Sequence, residues 1–274
     1  MELNELELKT QQEAIDYIKS HKDELIEKFI ISKKPMRLDL LTFFMAGSPG
    51  AGKTEFSRRY MLEKIDKTNQ KVINRLQKMG INIEDVDTFF IRIDVDEIKD
   101  FLPQYQKTDI QNCTVGNAHI VQKAANKGLD ILRQYCFSNS ISFLHDGTFA
   151  NYKTMKELVN KSLRVGRDVQ IFYIYLDPLV AWEFTRAREC LEGRNIVKEK
   201  FVEQFFDSRK NVEKIKQEFG NKVKLHCIVK NRDNEVEEIR LNIEDIDNFL
   251  KKHYNNKSLP VYTKDSLLKL IPGV

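Results

Sequence analysis

Apolar positions along the chain follow two different periods. Between residues 10 and 30, Ile15, Ile18, Leu25, Ile26, Phe29 and Ile30 recur at intervals of three and four, which predicts an amphipathic helix. Thr10 and Glu13 have the spacing of a capping box near its start. Lys33-Lys34-Pro35 ends it, because the residue before a proline avoids the helical region. Five short apolar runs follow, at 40–45, 88–93, 141–144, 169–176 and 223–229. They are rich in Ile, Val, Phe and Tyr, and most are nearly continuous rather than alternating. That suits strands buried on both faces of a parallel sheet. Helical patterns between the runs predict repeated strand–helix–strand units. The stretch 53–80 is charged and longer than a usual first crossover helix, so a broken or inserted helix is expected there; 111–138 is a second long helical stretch. A sixth run, 236–241, follows the turn-like Asn231-Arg232-Asp233-Asn234 and predicts an antiparallel edge hairpin.

Composition narrows the class. Hydrophobic residues make up 41% of the 274, ample for a core, which excludes disordered and fibrous readings. Net charge is 45 − 41 = +4, without the basic excess that marks a nucleic-acid binder. MELNELELKT has no cationic start or apolar core, so no secretory signal is expected. The longest apolar runs fall short of the roughly 20 residues that cross a bilayer. Cys113, Cys136, Cys190 and Cys227 lie apart, without a CxxC pair or zinc-type spacing. The expectation is a cytoplasmic protein with reduced thiols.

The strongest chemical signal is Gly47-Ser48-Pro49-Gly50-Ala51-Gly52-Lys53-Thr54, a full match to G-x-x-x-x-G-K-[ST]. It follows a strand-like run and opens a helix-like one. Its glycines let successive N–H groups turn inward around phosphate, at the positive end of the next helix. Lys53 reaches the β- and γ-phosphates, and the Thr54 hydroxyl suits Mg²⁺. The predicted architecture is therefore α/β, a P-loop NTPase-type open sheet of about five mostly parallel strands flanked by helices. It occupies 36–255, after an N-terminal helical extension at 1–35 and before a tail at 256–274. A phosphate loop alone leaves open a kinase, an NTPase switch or a nucleotide-binding regulator. N-K-x-D is absent, which argues against a GTPase.

Acidic residues close the next two strand runs, where ligands bind in open parallel sheets. Ile93-Asp94-Val95-Asp96 offers a general base for an acceptor hydroxyl. Asp96 is the first choice and Asp94 the alternate; the bland reading of either is a cap for the helix beginning near Glu97. Leu144-His145-Asp146-Gly147-Thr148 places a carboxylate at a strand end, able to hold Mg²⁺ or accept a substrate hydrogen bond. Thr148 and Asn151 lie just beyond it. His145 falls within the strand run and reads as packed. After the fourth run, Asp177-Pro178 opens a helix carrying Arg186 and Arg188, with Arg194 just past it. Arginines of this kind stabilise charge on a transferring phosphoryl group. Arg186 and Arg188 fall on different helix faces and so have different jobs. Arg188 and Arg194 are preferred for phosphate.

Together, GSPGAGKT at 47–54, IDVDEIKDFLPQY at 93–105, HDGTFAN at 145–151 and TRARECLEGRNIV at 185–197 resemble the zeta toxin family of P-loop kinases. The resemblance covers about residues 36–200. It implies ATP- and Mg²⁺-dependent phosphorylation of the 3′-hydroxyl of a UDP-N-acetyl amino sugar, UDP-N-acetylglucosamine in the best-known members, by a toxin held by an epsilon-type antitoxin. On this similarity Lys53 and Thr54 serve ATP and metal, and Asp96 is the base. Asp146 and Thr148 stand beside metal and substrate, while Arg188 and Arg194 stabilise phosphate. Asp94, Asn151 and Arg186 are further candidates for substrate contact. Asp146 departs from the Glu of the best-studied members by one methylene. The acidic N-terminal helix packs on the body, binds a partner helix, or covers the phosphate loop and inhibits in cis.

Overall fold

A computed structural model of the chain describes residues 3–37, 40–61, 66–107, 116–192, 196–257 and 261–272. In chain order its elements are α1 (Glu5–Ser20), α2 (Lys22–Phe29), β1 (Leu41–Ala46), α3 (Lys53–Tyr60), α4 (Gln70–Lys78), β2 (Ile91–Asp94) and α5 (Val95–Lys99). These are followed by α6 (Ala118–Ser138), β3 (Phe143–Asp146), α7 (Tyr152–Arg164), β4 (Asp168–Tyr175), α8 (Pro178–Glu192) and α9 (Lys198–Phe219). The chain closes with β5 (Val223–Lys230), β6 (Val236–Arg240), α10 (Ile246–Lys257) and α11 (Lys264–Leu270). The six strands form one mostly parallel sheet in the order β2-β3-β1-β4-β5-β6. β4 and β5 run parallel over Val169–Tyr175, and β6 returns antiparallel along β5, as the hairpin pattern predicted. Asn231 makes that turn: its Oδ1 accepts from the N–H groups of Asp233 (3.0 Å) and Glu235 (2.9 Å).

The chain divides into two compact units, residues 1–41 with 56–145, and residues 42–55 with 146–274. In the first, α1 and α2 lie along α6. The expected single N-terminal helix is two helices, broken at His21, and it starts earlier than Thr10. Asn4 and Glu7 form the capping box, while the Thr10 hydroxyl donates back to the Leu6 carbonyl inside α1. Ile18 and Leu25 are fully buried, worth about 2 kcal/mol each in transfer free energy. They close on Gly128 of α6, where a Cβ would stand 3.3 Å from Ile18 Cδ1 and 3.4 Å from Leu25 Cδ2. Of the three roles open to the N-terminal helix, packing against the body accounts for its apolar face.

The charged stretch after β1 is broken, as expected. α3 stops at Tyr60, and α4 carries its own small core, in which Leu76 packs with Met36 and Val86 under Val72, Ile81, Ile83 and Phe89. β2 begins three residues after its apolar run, because Thr88 bridges to Pro35 and accepts the Met36 N–H at 2.9 Å. The second long helix begins at Ala118 rather than 111; residues 111–115 lie outside the described residues.

In the second unit, Trp182 of α8 meets Phe201 of α9 edge-on and Tyr175 of β4 faces Phe205. Glu213 of α9 accepts from the N–H groups of Ile246 and Asp247, capping α10. The segment expected as a tail carries α11, which packs on α9 with Leu267 and Ile271 buried.

Candidate active site

The phosphate loop links β1 to α3, and its glycines are fixed by close approach. Gly47, Gly50 and Gly52 all have positive φ, at 134°, 73° and 73°. A Cβ would lie 2.4 Å from the Ile174 carbonyl oxygen at Gly47 and 2.0 Å from that of Ala181 at Gly50. At Gly52 it would meet Lys230 Nζ at 2.2 Å and Asn234 Oδ1 at 2.4 Å. Lys53 curls over the loop and donates to the carbonyls of Gly47 (3.2 Å) and Ser48 (2.7 Å). Ser48 and Ala51 are buried and Pro49 half-buried within the turn.

Thr54 and Asp146 come together. The Thr54 hydroxyl donates to Asp146 Oδ2 at 3.3 Å, and Asp146 is buried at the end of β3, the strand beside β1. A hydroxyl and a carboxylate beside a phosphate cradle are hard oxygen donors, the set that Mg²⁺ takes together with phosphate oxygens and water. Among the described residues no group of three or more His, Cys, Asp or Glu could hold a metal ion.

The loop after β3 is held tightly. The Thr148 carbonyl accepts the Gly47 N–H at 3.3 Å. Phe149 adopts a left-handed backbone (φ 64°), and its buried ring meets Phe44 edge-on at 5.6 Å. Asn151, a candidate for substrate contact, caps α7: its Oδ1 accepts the Thr154 N–H at 3.1 Å.

The first unit carries the D-x-D pair. Asp94 caps α5, with Oδ1 accepting the Asp96 N–H at 2.9 Å, while Oδ2 pairs with buried Arg92 at 2.9 Å. Arg92 also pairs with Glu97, which Arg58 reaches at 3.1 Å. Both oxygens of Asp94 thus have partners within the fold, including the helix cap that its position allowed. Asp96 sits in the first turn of α5, half-buried, with Oδ1 3.1 Å from Lys99 Nζ. His145 is buried against Arg133 Nη2 at 3.3 Å. Burial, and then the Arg133 charge, hold its pKa well below the ordinary imidazole value, which fits a packed neutral ring. Burial lowers Arg133 itself to about 10.

Asp177 caps α8 through the Leu179 N–H at 2.9 Å, as the Asp-Pro pair predicted. Arg186 and Arg188 both lie half-buried on α8; Arg186 stands 5.9 Å over the Trp182 ring, a cation–π contact. Arg194 lies outside the described residues. Cys136 and Cys227 are buried thiols, and burial pushes the Cys227 pKa far up. No described helix is long and apolar enough to cross a membrane.

Three site residues escaped the sequence reading. Ser208 Oγ accepts the Gly47 N–H at 2.7 Å, Asn211 donates to the loop after β3, and Lys230 donates to the Gly52 carbonyl at 3.4 Å. Ser208 and Asn211 interrupt the apolar stripe of α9 formed by Phe201, Phe205, Val212 and Ile215, and that interruption was a legible signal.

Compared with known families, residues 81–244 match the family model described as Zeta toxin. The chain belongs to the zeta toxin family. The matched span holds the D-x-D, D-G-T and arginine segments of this zeta toxin homologue, and the phosphate loop precedes it. Among solved structures, a chain of the AvrRxo1-ORF1:ORF2 complex with ATP is 12% identical at TM-score 0.50, covering 93% of this chain and 74% of that one. A chain of the AvrRxo1-ORF1:AvrRxo1-ORF2 complex with sulphate ions is 13% identical at TM-score 0.50, covering 89% and 71%. A chain of the PezAT toxin–antitoxin system of Streptococcus pneumoniae is 16% identical at TM-score 0.49, covering 100% and 90%. At such identities the two likenesses at TM-score 0.50 speak to the fold alone. No curated protein matches the sequence. The zeta-type architecture thus agrees with the P-loop kinase sheet expected from the sequence.

Proposed function

We propose that this zeta toxin family kinase transfers the γ-phosphoryl group of ATP to a hydroxyl of a UDP-N-acetyl amino sugar, with UDP-N-acetylglucosamine as the first candidate. The observation that carries the reading is the pairing of Thr54 with Asp146 at 3.3 Å beside a phosphate-loop motif whose three glycines all take positive φ. Lys53 leaves the Gly47 and Ser48 carbonyls for the β- and γ-phosphates. Thr54 and Asp146 would hold Mg²⁺, which when bound would supply positive charge against the phosphate oxygens. Asp96 accepts the proton of the acceptor hydroxyl, the role its motif carries in the family. Arg188 and Arg194 stabilise the spread of negative charge on the transferring group, with Arg186 beside them; Thr148 contacts substrate. A protein of similar fold stands in a two-protein complex, AvrRxo1-ORF1 with AvrRxo1-ORF2, which supports a protein partner for this chain, an antitoxin being the first candidate.

One observation favours a second acceptor. Asp146 accepts from Thr54 and is one methylene shorter than the Glu of the best-studied members, which would weaken an acceptor grip made through the longer side chain. A different hydroxyl acceptor, such as a nucleotide or an antibiotic, fits that departure. Transfer from γ-labelled ATP to a panel of such acceptors decides between them. Label on the UDP-sugar supports the first reading, and label only on another acceptor supports the second.

A further inference from the structure

Two polar residues on one face of α9 reach two different loops of the phosphate site. Ser208 is fully buried and its hydroxyl accepts the N–H of Gly47, the first loop glycine, at 2.7 Å. Three residues on, buried Asn211 uses one amide nitrogen for two carbonyls, Phe149 at 3.2 Å and Ala150 at 2.7 Å. Helical spacing of three puts both on the same face. The two loops are also joined directly, since the Gly47 N–H lies 3.3 Å from the Thr148 carbonyl.

Core packing alone does not explain these side chains. Their neighbours on the stripe are Phe201, Phe205, Val212 and Ile215, and an apolar residue would pack as well without the cost of burying a polar group. The backbone they hold is also strained. Phe149 occupies the left-handed region, which costs a non-glycine residue free energy and persists only where its surroundings over-determine it. Asn211 on one side and Phe44 on the other do so.

We infer that Ser208 and Asn211 are positioning residues, a clamp that holds the phosphate loop and the loop after β3 in register so that Thr54 and Asp146 meet a single metal ion. The inference rests on the proposed metal role of that pair. Both side chains bond loop backbone rather than the proposed metal donors, and they act as the outer hydrogen-bond partners that orient metal ligands do.

The test measures binding rather than turnover, on the full chain. The β,γ-imido analogue of ATP is titrated by calorimetry, without metal and across a Mg²⁺ series. Asn211→Ala is expected to leave metal-free affinity within about twofold and to raise the Mg²⁺ concentration for half-maximal binding by about tenfold. Ser208→Ala shifts it in the same direction by less, because the Thr148 carbonyl remains for the Gly47 N–H, and Ser208→Thr restores it. If Asn211→Ala does not fold, the Ser208 pair decides. Lowered thermal stability with an unmoved Mg²⁺ midpoint would overturn the clamp and leave the site reading standing. Analogue binding to the unmodified protein that ignores Mg²⁺ would overturn the metal role of Thr54 and Asp146, and the clamp with it.

Discussion

Gly50 occupies a position that the phosphate-loop motif leaves open to any residue, yet the structure demands glycine there. Its φ is +73°, and an added Cβ would stand 2.0 Å from the Ala181 carbonyl oxygen and 2.5 Å from Thr185 Oγ1. Neither neighbour can give way freely, because that carbonyl belongs to α8 and also accepts the Thr185 hydroxyl at 2.7 Å. Gly166, in the same unit, is the matched control: its φ is +75° and nothing lies within 4 Å of its Cβ position. Both alanine variants carry the left-handed backbone cost of roughly 1 kcal/mol. Only Gly50→Ala adds overpacking, roughly 1–3 kcal/mol. The expected loss is therefore about 2–4 kcal/mol for Gly50→Ala against about 1 kcal/mol for Gly166→Ala. Gly52→Ala should fall between them, since it meets the movable side-chain ends of Lys230 and Asn234. Urea unfolding of the three variants at one pH measures the order. A Gly50→Ala loss equal to that of Gly166→Ala would refute the reasoning.

Acid should destabilise the fold through two buried imidazoles. Burial depresses both His145 and His226, so each is neutral when folded and gains a proton on unfolding below about pH 6.5. Their contribution is present above that pH and is lost as pH falls, at up to about 1.4 kcal/mol per pH unit each. Urea midpoints from pH 7.5 to 5.5 should show this decline, and His145→Gln should flatten it; an unchanged slope would contradict the assignment. Deleting residues 1–34 uncovers the α6 face around Gly128, and is expected to lower thermal stability without raising activity. A gain in activity would instead favour inhibition in cis. Asp146→Asn should weaken Mg²⁺-dependent ATP binding by about tenfold while sparing metal-free binding, as calorimetry would show.

Much of the sheet was readable because buried parallel strands write themselves as unbroken apolar runs. The runs at 169–176 and 223–229 became β4 and β5 almost residue for residue. Boundaries failed where tertiary bonds outweighed local pattern. Thr88 left the β2 run to pair with Pro35, and Asn4 took the cap that Thr10 matched by spacing. The phosphate loop was legible because its chemistry is contiguous. Asp96 ranked above Asp94 already in the sequence, but a two-residue spacing cannot reveal that Arg92 and a backbone N–H engage the oxygens of Asp94. Ser208 and Asn211 act from more than 150 and about 60 residues away on backbone atoms, and such atoms carry no sequence signature. Their trace is only polarity on the buried face of α9, which Glu213 and Lys216 share.

The central claim is phosphoryl transfer that depends on Mg²⁺ and on Asp96. Its most direct test is transfer from γ-labelled ATP to UDP-N-acetylglucosamine beside a panel of other hydroxyl acceptors, with Asp96→Asn as the blank. The account predicts Mg²⁺-dependent label on the UDP-sugar, reduced by a factor of about 10² or more in Asp96→Asn while ATP affinity holds. ATP binding without label on any acceptor, or label undiminished in Asp96→Asn, would contradict it.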